Sequence, residues 1–160
     1  MRFTDSREFF EAAREASRDA ERIRRQLAAM EDRATATAGG GFEPRVRSTP
    51  DPDRIGRSVS ALVDRESMLR ERQEEDYRLI EAANRVLYGE TGRDGLWALV
   101  GWRADALAQH YLNDRTWSQV GDLMGYTEQH VWQQAQVALE VCDGWGMVAV
   151  VAGRGGAENG

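Results

Sequence analysis

The sequence predicts an all-α protein: a long N-terminal helical hairpin of coiled-coil character over residues 1–88, then a compact three-helix domain over 93–146. Three observations predict it. Apolar residues repeat at heptad spacing through the first 34 residues, and a similar seam runs from residue 55 to 87. Between Thr116 and Leu139 (TWSQVGDLMGYTEQHVWQQAQVAL) two short helical patterns flank a glycine, each with a capping residue in front.

The first helix is marked by Phe9, Ala13, Ala16, Ala20, Ile23, Leu27, Met30 and Ala34, spaced 4-3-4-3-4-3-4. That spacing fills the a and d positions of a heptad. Asp5 with Glu8 offers an N-terminal cap. The alanine-rich first half lets a partner helix approach closely, and charged residues cover the other faces. Residues 35–53 (TATAGGGFEPRVRSTPDPD) then break the pattern. Gly39–Gly41 is flexible, and Pro44, Pro50 and Pro52 are excluded from a helix interior. This reads as a flexible Gly/Pro linker. The glycine run lacks the strand, lysine and helix of a phosphate-binding loop.

A second helix is predicted from about Asp53. Ile55, Val59, Leu62, Leu69, Ile80, Ala83 and Leu87 continue a seam in which Glu66, Gln73 and Asp76 are polar. Either those residues set register or partner number, or the helix rotates and Tyr77 or Met68 fills the gap. A two-helix hairpin buries little alone, so the arm is expected to form a homodimer or higher oligomer, or to pack on another protein.

Gly89–Gly95 (GETGRDG) is the next hinge. One further helix is expected over Leu96, Trp97, Val100, Ala104, Leu107 and Tyr111, with Trp97, Trp102 and Trp117 as bulky core fillers. After the turn Asn113-Asp114-Arg115, Thr116 with Gln119 fits a capping box, and Trp117, Val120, Leu123 and Met124 share one helical face. Gly125 suits a left-handed helix end. Thr127 caps a last helix with Val131, Ala135, Ala138 and Leu139 inward. Two short helices around a tight turn make either a plain helical corner or a helix-turn-helix, which presents its second helix to a DNA major groove. Residues 147–160 form a tail: Val148–Val151 as a short strand or packing segment, and disorder from about 153.

Charge bears on function. The chain has 21 basic residues, all arginine, against 27 acids, for a net charge of −6. Residues 95–146 carry only Arg103 and Arg115 against Asp105, Asp114, Asp122, Glu128, Glu140 and Asp143. DNA-binding modules are normally basic, because neutralised phosphates supply much of their affinity. No apolar run approaches the roughly 20 residues needed to span a bilayer, and the N-terminus lacks a signal-peptide core, so no membrane partner is expected. The single cysteine, Cys142, suits a reducing cytoplasm. It is expected to be buried with Leu139.

No enzyme is expected. His110 and His130 lack neighbours at ligand or triad spacing, and acid pairs such as Glu74-Glu75 lie on a helix surface. Neither a cofactor nor a metal site is predicted. The outer face of the last helix carries Glu128, Gln129, Trp132, Gln133, Gln136 and Glu140. Glutamine pairs with adenine in the major groove and glutamate accepts from cytosine. Phosphate contacts would fall to Arg103 and Arg115, with Arg45, Arg47, Arg54 and Arg57 clustered around the linker.

The stretch ALAQHYLNDRTWSQVGDLMGYTEQHV resembles region 4 of sigma-70-type initiation factors: Tyr-Leu, a polar turn, Trp-x-x-Val, then Met-Gly-Tyr-Thr-Glu. With the closing ALEVCDGWG and the upstream RVRSTPDPDRIGRSVSALVDRE, it is similar to the late-transcription regulators of temperate phages, the RinA and ArpU kind, over about Arg45 to Gly146. The resemblance implies a sigma-region-4-like helix-turn-helix in a phage or prophage regulator acting in the bacterial host cytoplasm. Such a regulator binds double-stranded promoter DNA and contacts RNA polymerase. By position, Thr127, Glu128, Gln129, His130, Trp132, Gln133 and Gln136 would face the DNA. The chain departs from the pattern at Glu128, His130 and Trp132, where sigma-like recognition helices usually carry arginine. Two rival readings share the fold: an acidic helix-turn-helix that binds a protein such as RNA polymerase, and a DNA-packaging factor like a phage small terminase.

Overall fold

A computed structural model describes residues 3–39, 52–148 and 150, and among these it is all-helical with no strand. The elements are α1 (Ser6–Gly39), α2 (Pro52–Tyr88), α3 (Gly95–Val100), α4 (Trp102–Leu107), a π-helical turn (Ala108–Leu112), α5 (Trp117–Met124) and α6 (Glu128–Trp145). No helix among the described residues is long and apolar enough to cross a membrane. The chain divides into two compact units, residues 1–18 with 76–160, and residues 19–75.

In the first unit the start of α1 is built into the same core as the C-terminal helices. Phe9, Phe10 and Ala13 pack with Ala83, Val86 and Leu87 of α2, with Leu96, Leu107 and Tyr111, and with Ala135, Ala138, Leu139 and Cys142 of α6. Asp5 caps α1 by accepting the Glu8 N–H at 2.8 Å. The Ser6 N–H donates to Asp143 at 2.8 Å, and its hydroxyl donates to the Leu139 carbonyl at 3.1 Å. At the end of α2 the Tyr88 hydroxyl donates to Asp105 at 2.6 Å. Burial, followed by that carboxylate, raises the phenol above its ordinary pKa.

The Gly89–Gly95 turn depends on glycine at its end. Gly95 has φ +63°, and a Cβ there would lie 2.7 Å from both the Gly89 nitrogen and the Val86 carbonyl oxygen. The single helix expected over Leu96–Tyr111 is instead interrupted. Gly101, at φ 63° and ψ −131°, separates α3 from α4, and the C-terminal turn widens into the π-helical segment Ala108–Leu112. Glycine tolerates that backbone at no steric cost, and the break re-aims the chain within the core. Trp97 is exposed rather than a core filler, while Trp102 and Trp117 are half-buried.

The tail takes the packing alternative. Met147, Val148 and Val150 are helical, the Val150 N–H donates to Gly146 at 3.0 Å, and the Val150 side chain is buried in the main core. The expected disorder from 153 lies outside the described residues.

In the second unit, Ala20, Ile23 and Leu69 are buried and the Arg72 guanidinium forms a two-pronged ion pair with Asp19. The α1 seam weakens along its length: Leu27 and Met30 are half-buried and Ala34 is exposed. Val59, Leu62 and Val63 of α2 are exposed. Helix α1 extends to Gly39, so it reaches into the stretch expected as linker. Pro52 opens α2, the one helical turn where a missing N–H costs nothing. Residues 40–51, including Arg45 and Arg47, lie outside the described residues.

Candidate recognition surface

The pair of helices α5 and α6 is assembled from local signals that all engage. The Thr116 hydroxyl accepts the Gln119 N–H at 3.2 Å and the Gln119 side chain accepts the Thr116 N–H at 2.9 Å, a complete capping box. Gly125 ends α5 in the left-handed conformation, φ 78° and ψ 29°. Thr127 caps α6 by accepting the His130 N–H at 3.2 Å. Between the two helices lies a small core of Ala106, Val120 and Val131, walled by Trp102, Trp117 and Met124.

The inward face of α5 differs from the expected one. Leu123 is exposed, and Gly121 takes the inner position beside Val120. A Cβ on Gly121 would lie 2.8 Å from the Tyr126 carbonyl oxygen, so the turn rests directly on the helix backbone. Gly121 also supplies the carbonyl that accepts both the Gly125 and Tyr126 N–H groups, each at 2.9 Å. Sequence reasoning passed over Gly121. Its signal was a glycine inside a short helix where alanine would be about 1 kcal/mol better on propensity alone.

The turn before α5 is fixed from two sides. Asp114, at φ 54°, accepts from Arg14 and Arg18 of α1, both at 2.9 Å. The Ser17 hydroxyl donates to the Leu112 carbonyl at 2.7 Å. His110 is buried, with Nδ1 2.7 Å from the Arg115 carbonyl oxygen. A carbonyl only accepts, so Nδ1 carries the proton. Desolvation lowers the His110 pKa to about 4, outweighing that hydrogen bond, so the ring is neutral near pH 7.

The sequence-predicted site residues fall into two groups. Glu128, Gln129, Trp132 and Gln133 are exposed together on the first turns of α6, and Trp132 with Trp117, Glu128 and Gln129 lines an open groove of ≈ 270 Å³. Thr127 is exposed, with its hydroxyl occupied as a cap, and Arg115 is exposed in the preceding turn. The remaining three have internal partners. Gln136 is half-buried and accepts from Arg7 of α1. Arg103 is half-buried, donates to Gln134 and to the Val100 carbonyl, and lies over the Trp102 ring. His130 is half-buried in an aromatic stack with Tyr126 at 4.9 Å and Trp102 at 6.1 Å. That stack, completed by Trp102 on Tyr126 at 4.7 Å, was not anticipated because Trp102 comes from a segment more than twenty residues away from the other two.

Cys142 is a buried residue of α6, and burial pushes its thiol up to about 12. Among the described residues no group of three His, Cys, Asp or Glu side chains could hold a metal ion. Comparison of the chain with known protein families, with characterised proteins and with solved structures finds no match.

Proposed function

We propose that this chain is a DNA-binding transcriptional regulator of phage or prophage origin that presents α6 to the major groove of promoter DNA. The observation that carries the reading is the exposure of Glu128, Gln129, Trp132 and Gln133 on the first turns of a doubly capped helix-turn-helix. In this motif the N-terminal part of the second helix meets base edges. Gln129 and Gln133 are suited to adenine, Glu128 to a cytosine amino group and Trp132 to a thymine methyl. The sigma-region-4-like resemblance supports the same reading, with RNA polymerase as a further contact. Oligomerisation through α1 and α2 in the host cytoplasm would pair two recognition helices on adjacent half-sites, offsetting the weak affinity of an acidic module.

Selection from a randomised duplex library, followed by gel shift, tests this. A defined motif should emerge, and Gln129→Ala with Gln133→Ala should erase its preference over scrambled sequence. Binding should fall only gently with salt, because few arginines are free to meet phosphate. Failure to enrich any sequence overturns the reading. Solution mass separates it from a small-terminase-like packaging factor, which would assemble as a ring of many subunits.

A second reading, a protein-binding regulator on the same fold, is favoured by one observation. Arg103 is committed to Gln134, leaving Arg115 to face the acids of residues 95–146. Such a surface attracts cations more readily than phosphates.

A further inference from the structure

We infer that the groove between α5 and α6 is a binding site for an arginine side chain presented by a partner protein. The inference rests on the α6 face being a recognition surface, and it names the chemistry one part of that face selects. Trp117 and Trp132 line the groove, with Glu128 and Gln129 beside them. Tryptophan is the aromatic side chain that attracts cations best, and guanidinium is the cation that stacks on it with the least loss of hydration. A carboxylate within the same groove completes a pairing in which the planar fork meets Glu128 while the apolar stem lies along the indoles.

Three observations select this occupant. Charge is complementary: Glu128 makes no ion pair among the described residues, although the helix positions of many other acids are paired. The groove holds no basic side chain to receive a phosphate or carboxylate. Trp132 remains 45% exposed at the centre of a polar face, a large apolar area left to solvent beside an acid. Trp117 is held in place from behind, because the neutral His110 ring stacks on it at 3.8 Å. The Trp117 wall of the groove is therefore preorganised by the core.

Occupation of this groove and insertion of α6 into DNA use the same side chains, so an arginine-bearing partner and DNA compete. The full chain, labelled with ¹⁵N, is titrated with the blocked tripeptide acetyl-Gly-Arg-Gly-amide while the indole N–H resonances are followed by NMR. Saturable shifts are expected at Trp117 and Trp132, with Trp97, Trp102 and Trp145 unmoved. The citrulline analogue, isosteric and neutral, should bind about fivefold more weakly or worse, as should the peptide to Glu128→Gln. Trp132→Ala, on an exposed position, gives a second variant with the fold kept.

Equal binding of the citrulline peptide, an unaffected Glu128→Gln, or shifts spread over the acidic surface would overturn the inference. Addition of a library-selected duplex separates the two readings. A chain that binds the peptide but no duplex loses its proposed DNA role and keeps this one. A chain that binds duplex with no response to the peptide does the reverse.

Discussion

The His110 ring lies 3.8 Å from the Trp117 indole, the two planes within 15° of parallel, while His110 Nδ1 donates to the Arg115 carbonyl. One side chain thus holds both the turn that precedes α5 and the first residue of α5. The relationship needs a neutral ring, since a buried imidazolium would be desolvated and would face Arg14 and Arg18 across the turn.

This makes stability depend on pH in a defined direction. The folded pKa, about 4, lies below the ordinary value of 6.5, so the unfolded chain binds the extra proton between them. Stability is therefore full above pH 6.5 and declines as pH falls toward 4. The His110 contribution to that loss is roughly 2 kcal/mol, since each pKa unit is worth about 1.4 and residual solvent access trims the total. Urea unfolding at pH 7.0 and 4.5 checks it: His110→Gln should be less stable at pH 7.0 and should lose less than the natural chain on acidification.

Gly121 cannot accept a methyl group without moving the turn. A Cβ would approach the Tyr126 carbonyl oxygen to 2.8 Å, and that atom belongs to backbone rather than to a flexible side chain. Gly121→Ala is expected to destabilise by about 2 kcal/mol despite alanine's better helix propensity. Ser118→Ala, on the exposed face of the same helix, should change stability by less than about 0.5 kcal/mol. Equal unfolding midpoints for the two variants would show that the turn has slack.

The caps should be separable by substitution. Thr127→Ala removes one accepted hydrogen bond and should cost about 1 kcal/mol. Thr116→Ala likewise removes one accepted bond, while its own backbone N–H keeps the Gln119 side chain as acceptor, so its cost should be no larger. Amide exchange localises the effect: the first turn of α6 should open faster in Thr127→Ala, and the first turn of α5 in Thr116→Ala.

Cys142 should be silent toward thiol reagents while the chain is folded. Burial comes first among the reasons its thiol sits near 12, with Asp143 adding to it. At any pH from 7 to 9 the native protein should react far more slowly than the urea-unfolded chain, whose exposed thiol ionises near its ordinary value. Rapid labelling in native buffer would mean that α6 opens locally around its last turns.

The legible part of the fold is the part written in neighbours. Heptad spacing marked α1 and α2, and residues three apart marked both caps, because a hydroxyl at one position reaches the N–H three residues on without help from elsewhere. Gly125 was legible for the same reason: only its own φ matters. The exposed core of the candidate site, Glu128, Gln129, Trp132 and Gln133, followed from helical period once Val131 and Ala135 were set inward.

What local signals left open was fixed by partners far along the chain. Ser6 meets Asp143 across 137 positions, and through that contact and Phe10 the first helix joins the C-terminal core. Arg7 engages Gln136, and Arg103 engages Gln134, so two positions suited to DNA by spacing are committed within the molecule. The break at Gly101, the choice of Gly121 over Leu123 for the inner face of α5, and the His130 stack depend likewise on which surface arrives opposite. Sequence alone determined the helical class and the borders of the motif, since caps, φ preferences and periodicity act within one or two turns. Tertiary structure decided which side chains remain free to recognise anything, because burial and hydrogen-bond pairing are properties of the segments that come together.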